Sequence, residues 1–184
     1  MNGLSSVSTT FAGLPLHDDL QSLDADIAVI GVPYLSPYLK QPSYSSQNAV
    51  HTVRQQSLKY QKIGNYDFDF DGDLLGNRSF DCVDCGNLIN QYKAFDTYVQ
   101  TITAVIRLIL KRSAVPVVIG GDHGTSIPVL RAYEEFSQLC VVQIDAHLDW
   151  VDEREGVREG FSSPMRRASE MPHVASMVQI GLRG

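Results

Sequence analysis

The 184-residue sequence is short of positive charge: 15 Lys and Arg stand against 21 Asp and Glu, a net charge of −6. A surface of that sign, without a basic patch, does not attract nucleic acid or an anionic membrane, and neither is expected as a partner. Long apolar runs are missing too; none approaches the roughly 18–20 residues that a membrane span requires. Residues 1–11 are rich in Ser and Thr and have neither the basic stretch nor the apolar core of a secretory leader, so a cytoplasmic location is expected. Cysteine is scarce and odd in number, three in all, which speaks against a disulfide framework and for a reducing compartment. Internal repeats and low-complexity blocks are absent. The remainder, 43% hydrophobic and 20% charged, has the composition of a globular chain. A single domain over residues 1–184 is expected, with residues 1–23 as a polar N-terminal arm.

Periodicity then divides the chain. Residues 26–31 form a short apolar run stopped by Gly31 and Pro33, which suits a strand buried on both faces. Residues 34–46 have a loop composition, 50–60 a short helical pattern, and 68–90 so much Asp, Gly and Asn that they read as loop with one edge strand. Phe95, Tyr98, Val99, Ile102, Val105, Ile106, Ile109 and Leu110 fall at helical spacing, which predicts a helix over 95–113. A second buried strand is expected over 115–119 and a helix over 125–136, with Thr125 as its N-cap. A third strand (139–144), a short helix (164–170) and a fourth strand (177–180) complete the pattern. Alternating strands and helices predict an α/β fold with a mainly parallel sheet. No covering element follows the last strand, so the fold is expected to be incomplete at the C-terminus, with the domain continuing beyond Gly184.

Two segments gather metal-type ligands, each directly after a predicted strand, where open α/β sheets place their sites. One is Gly120-Gly-Asp-His123 and the other Asp145-Ala-His147-Leu-Asp149. In an extended backbone, Asp145, His147 and Asp149 point the same way, and a tight turn at Gly120-Gly121 lets His123 approach them. Ionisable groups crowded on one side repel or stay unsatisfied unless a cation meets them. Imidazole with carboxylate suits Mn²⁺, and also Fe²⁺, Co²⁺ or Zn²⁺.

These two signatures, in this order, resemble those of the ureohydrolase (arginase/agmatinase) family. Ile27-Ala-Val-Ile-Gly-Val-Pro33, Val178-Gln-Ile-Gly-Leu-Arg183 and Pro164-Met-Arg-Arg-Ala168 support the likeness, the last of them pointing to the agmatinase-like branch. The resemblance implies a three-layer α/β/α fold and a binuclear Mn²⁺ centre. It also implies hydrolysis of a guanidino compound such as agmatine to urea and an amine, and a homo-oligomer, trimer or hexamer. His123 and Asp149 would then ligate one manganese, His147 the other, and Asp145 would bridge them.

The sequence departs from the family in three places. The later Ser-x-Asp-x-Asp segment that completes the family's metal centre does not occur within residues 1–184, so this stretch alone is expected to bind metal weakly or to hold one ion. Phe161 stands where many relatives carry a histidine, a candidate proton carrier; Glu159, two positions earlier, is the substitute to examine. Residues 34–46 also lack the relatives' Gly-x-Arg-Pro-Gly stretch, and Gly124 replaces a frequent serine. Two readings compete: a non-catalytic or truncated ureohydrolase-like subunit without a complete metal centre, and a metal-dependent deacetylase-like hydrolase. Elsewhere, Cys82 and Cys85 read as two loop thiols, and Cys140 as a core residue. His17, His51 and His173 read as surface or capping residues; Trp150 suits either a pocket wall or the core, and Arg166 and Arg167 either a helix or a subunit interface.

Overall fold

The computed structural model describes residues 3–38, 45–61, 66–73, 79–89 and 94–183. The chain runs β1 (Leu4–Ser5), β2 (Ile27–Val32), α1 (Ser45–Ser57), β3 (Tyr66–Asp67), β4 (Gly72–Asp73), β5 (Cys82–Leu88), α2 (Phe95–Lys111), β6 (Val115–Gly120), α3 (Ser126–Arg131), β7 (Leu139–Ile144), α4 (Pro164–Ser169) and β8 (Val174–Ile180). Part of the loop expected over 34–46 lies outside the described residues, as do 74–78 and residue 90 of the stretch 68–90.

β2 lies inside a four-stranded sheet of order β1-β5-β2-β6, parallel to both β5 and β6; only the short β1 runs antiparallel. Side chains alternate across a strand, so β2 presents two apolar faces. Ala28, Ile30 and Val32 enter the core beside Ile102, Ile106 and Ile109 of α2. The other face, at Gly31, meets α1 so closely that a β-carbon there would strike Val50 and Arg54. Helices on both faces of a mainly parallel sheet make the expected three-layer architecture.

Helix α2 follows from its sequence. It buries Tyr98, Val99, Ile102, Val105, Ile106 and Ile109, carries Asp96 in its first turn and ends in Lys111, in keeping with the helix dipole. Each such burial contributes about 1.5–3 kcal/mol. Ser113, in the left-handed region at φ 62°, closes the helix, and the Ser113 and Ala114 amides donate to the Leu110 and Ile109 carbonyls.

Several expectations are corrected. Residues 82–88 form an inner strand rather than loop, flanked by β1 and β2. The polar residues of β5 are tolerable there because Asp84 is paired with Arg54 of α1 at 2.7 Å, both side chains being essentially inaccessible. The cap expected at Thr125 belongs to Asp122, whose side chain accepts from the Gly124 amide at the start of a 3-10 turn, His123–Thr125. Helix α3 stops at Arg131, and turns occupy the residues after it.

Strand β6 is half open rather than buried, with Val115 60% and Val117 41% exposed, because it ends the four-stranded sheet. Strands β7 and β8 form their own parallel pair. A cleft of about 480 Å³ separates the two, lined by Val118 on the β6 side and by Val141 and Ile144 on the β7 side. Cys140, on β7, is exposed and not in the core, whereas Cys85 is buried. Among the described residues no helix is long and apolar enough to cross a membrane.

The thiols carry a direct test. Burial, reinforced by the Asp84 charge, pushes the Cys85 thiol up to about 11, so little of it is thiolate at pH 8. Iodoacetamide at pH 8 is expected to alkylate Cys140 first and Cys85 last, read by peptide mass spectrometry; rapid labelling of Cys85 would contradict the placement of β5.

Candidate metal centre

Both ligand segments leave the ends of strands that face the inter-sheet cleft. After β6 the chain must turn at once, and Gly121 permits it: a β-carbon there would collide with the main chain of Tyr34. Asp122 then ties the turn down. One carboxylate oxygen accepts the Gly124 amide at 2.9 Å and the other the Ser36 amide at 2.6 Å. This fixes His123, whose Nδ1 lies 2.8 Å from Asp149 Oδ2 and 3.5 Å from Asp145 Oδ2. One ligand atom from each of His123, Asp145 and Asp149 lies within 4.8 Å of the others, which is suitable for a single divalent cation.

The second segment converges by a different route from the one expected. The backbone does not stay extended after Ile144; it bends at Ala146 and His147, and Asp149 enters the left-handed region at φ 50°. That bend brings Asp145 and Asp149 together and turns His147 outward, its side chain 67% exposed. The His147 ring nitrogen Nδ1 still lies 3.1 Å from Asp145 Oδ1, and the His147 amide donates to the same oxygen at 2.8 Å. That amide bond is the main reason the Asp145 carboxyl titrates below the usual carboxylate range; partial burial opposes it, and the His147 and His123 side chains assist. A carboxylate kept ionised is the form a cation needs.

Asp149 is also held from behind by residues the sequence did not single out. Gln143 Nε2 donates to Asp149 Oδ2 at 2.8 Å, and Gln179 Nε2 in turn donates to Gln143 Oε1. The Asp149 carbonyl accepts the Met165 and Arg166 amides, both at 3.2 Å, so the first turn of α4 is anchored on the ligand loop. Outer partners of this kind orient ligands and tune their affinity. The polar Gln143, 6% exposed within an otherwise apolar strand, was the available signal.

A cleft of about 610 Å³ opens beside the three ligands, with Trp150, Arg154 and Phe161 on its walls. Trp150 is thus a wall residue. Phe161 packs edge-on against Tyr38, ring centroids 5.0 Å apart. The Glu159 carboxylate is held in a two-pronged ion pair by Arg131 of α3, while the Tyr34 hydroxyl donates to the Glu159 carbonyl at 2.8 Å. Arg167, 4% exposed, is engaged by Asp152 and Glu170, and Arg166 by Glu170, so both act within the chain.

Known proteins share this chain's sequence pattern and fold. Proclavaminate amidinohydrolase of Streptomyces clavuligerus is 32% identical over 189 residues, an alignment that covers 98% of this chain and 58% of the relative. Agmatinase of Bacillus subtilis is 27% identical over 165 residues, covering 87% and 53%. The solved structure of the Streptomyces enzyme superposes with a TM-score of 0.78 at 27% identity, over 99% of this chain and 58% of that one. The chain thus spans somewhat more than half the length of these relatives. Residues 25–184, which include every strand from β2 onward and the three converging side chains, match the Arginase family, and the chain belongs to that family.

Proposed function

We propose that the protein containing this chain is a metal-dependent amidinohydrolase, which hydrolyses a guanidino compound to urea and an amine. The observation that carries the reading is the convergence of His123, Asp145 and Asp149 within 4.8 Å at the ends of strands facing one cleft. The donor set, one imidazole and two carboxylates with Asp145 kept ionised, fits a hard-to-borderline divalent ion such as Mn²⁺. His123, Asp145 and Asp149 would hold it, and by family resemblance His147, beside Asp145, would serve a second ion. A bound divalent cation makes water a competent nucleophile near neutral pH and stabilises negative charge as it develops.

The chain's own residues do the rest. The cleft beside the metal-binding side chains would receive the planar guanidinium, and Gln143 keeps Asp149 from rotating away. Trp150 and Phe161 wall the cleft with aromatic surface and limit the entry of bulk water. The reaction balances as R–NH–C(NH₂)₂⁺ plus water giving R–NH₃⁺ plus urea, so the leaving nitrogen gains two protons in all. Glu159 would serve as a proton carrier only by leaving Arg131. By family resemblance the protein assembles as a homotrimer or hexamer.

The test is urea release from a panel of guanidino compounds by the complete protein, purified and supplied with Mn²⁺. Urea from at least one member is the expected result. Metal bound with no urea from any member would favour the non-catalytic reading, and acetate release from acetylated amines would favour a deacetylase.

A further inference from the structure

The cleft that holds the three metal-type side chains is also lined by an exposed cation. Five arginines lie between residues 131 and 167. Arg131 holds Glu159, Arg158 holds Asp152 and Glu170, and Arg166 and Arg167 share Asp152 and Glu170. Arg154 alone of the five has no carboxylate partner among the described residues, and it lines the cleft together with His123, Asp145 and Asp149.

Its placement is built rather than incidental. The Arg154 amide donates to the Val157 carbonyl at 3.0 Å, and the Val157 amide returns the bond at 2.9 Å. Glu155 and Gly156 between them take φ of 54° and 78°, the signature of a tight type I′ turn. The guanidinium then lies over two aromatic rings, 5.1 Å from the Tyr38 centroid and 5.7 Å from that of Phe161. Tyr38 is itself fixed by a 2.8 Å hydrogen bond between its hydroxyl and Ser162 Oγ. Stacking engages the face of a guanidinium and leaves its in-plane N–H donors available, in the fork that matches a carboxylate.

We propose that Arg154 reads the far end of the substrate, and that the cleft selects guanidino acids, whose tail is a carboxylate, over guanidino amines, whose tail is a cation. This rests on the amidinohydrolase reading of the same cleft. The cleft carries both signs of charge: the metal-binding carboxylates, beside which the guanidinium would react, and an arginine whose fork would receive an anion. A substrate such as agmatine would bring its ammonium towards Arg154 and be repelled. This departs from the agmatine-like substrate expected from the sequence.

The experiment compares 4-guanidinobutyrate with agmatine on the complete Mn²⁺-supplied protein, in its natural form and as Arg154→Met and Arg154→Lys. The natural protein is expected to prefer the acid. Arg154→Met should lower kcat/KM for the acid by about tenfold or more, almost wholly through KM, with kcat little changed. The same change should leave agmatine unaffected or improved, and Arg154→Lys should restore part of the loss. Calorimetric binding of the two compounds provides a second measurement that needs no turnover. A preference for agmatine, or no change in KM and affinity for the acid in Arg154→Met, overturns the role of Arg154 while leaving amidinohydrolase activity standing. Absence of both urea release and binding for every guanidino compound overturns the two together.

Discussion

Replacing Asp149 with asparagine is expected to cost the protein its metal and, with it, its activity. Asp149 provides the carboxylate nearest His123, at 2.8 Å, and is the least exposed of the three converging ligands. Changing a partner behind a ligand already costs about 10–100-fold in metal affinity, and loss of a ligating charge should exceed that range. Titration of Mn²⁺ by calorimetry on the complete protein should show affinity lowered more than a hundredfold by Asp149→Asn, with urea release falling in parallel. Gln143→Leu should show the smaller effect of an orienting residue, within that 10–100-fold range. If Asp149→Asn bound metal as the natural protein does, the proposed ligand set would be wrong.

The second large effect concerns stability. Arg54 and Asp84 form a two-pronged pair, Nε to Oδ2 at 2.7 Å and Nη2 to Oδ1 at 2.8 Å, with side chains 1% and 0% exposed. The same guanidinium reaches the Gly86 carbonyl at 2.9 Å and the Asn87 side chain. Arg54→Met would leave the Asp84 charge buried and unpaired, at a cost of about 3–5 kcal/mol, measured by urea denaturation. The double variant Arg54→Met/Asp84→Leu should recover only part of that loss. Asp84 also accepts the Phe11 and Gly86 amides, at 2.7 and 2.9 Å, and leucine would strand both. A loss below about 1 kcal/mol in Arg54→Met would refute this account.

The elements α2 and β2 were legible because their apolar spacing needs no knowledge of neighbours. The turn holding His123 and the convergence of Asp145 with Asp149 were legible in outcome, because glycines and closely spaced carboxylates constrain the chain locally. The reason for the convergence was not: alternation was expected, and a bend with a left-handed Asp149 delivered it, at the expense of His147. In sequence, strand β5 reads as loop because its Asp, Gly and Asn look polar until Arg54, 30 residues earlier, neutralises Asp84. The Gln179–Gln143–Asp149 relay joins two strands 36 residues apart, and no local pattern marks such a pairing. Cys140 was misplaced because apolar composition alone does not reveal whether a strand has neighbours on both sides.

Strands β6 and β7 each offer an unpaired edge among the described residues, and around it Val115, Val117, Val142 and Ile144 are 60%, 41%, 59% and 80% exposed. Exposed β-branched edges of this kind are templates for further strands; Pro116 deters pairing at one end of β6, and no charge or proline stands at positions 139–142. Residues 1–184 in isolation are therefore expected to self-associate through these edges. Their solubility as a separate polypeptide should fall steeply with concentration, and thioflavin fluorescence should rise as it does.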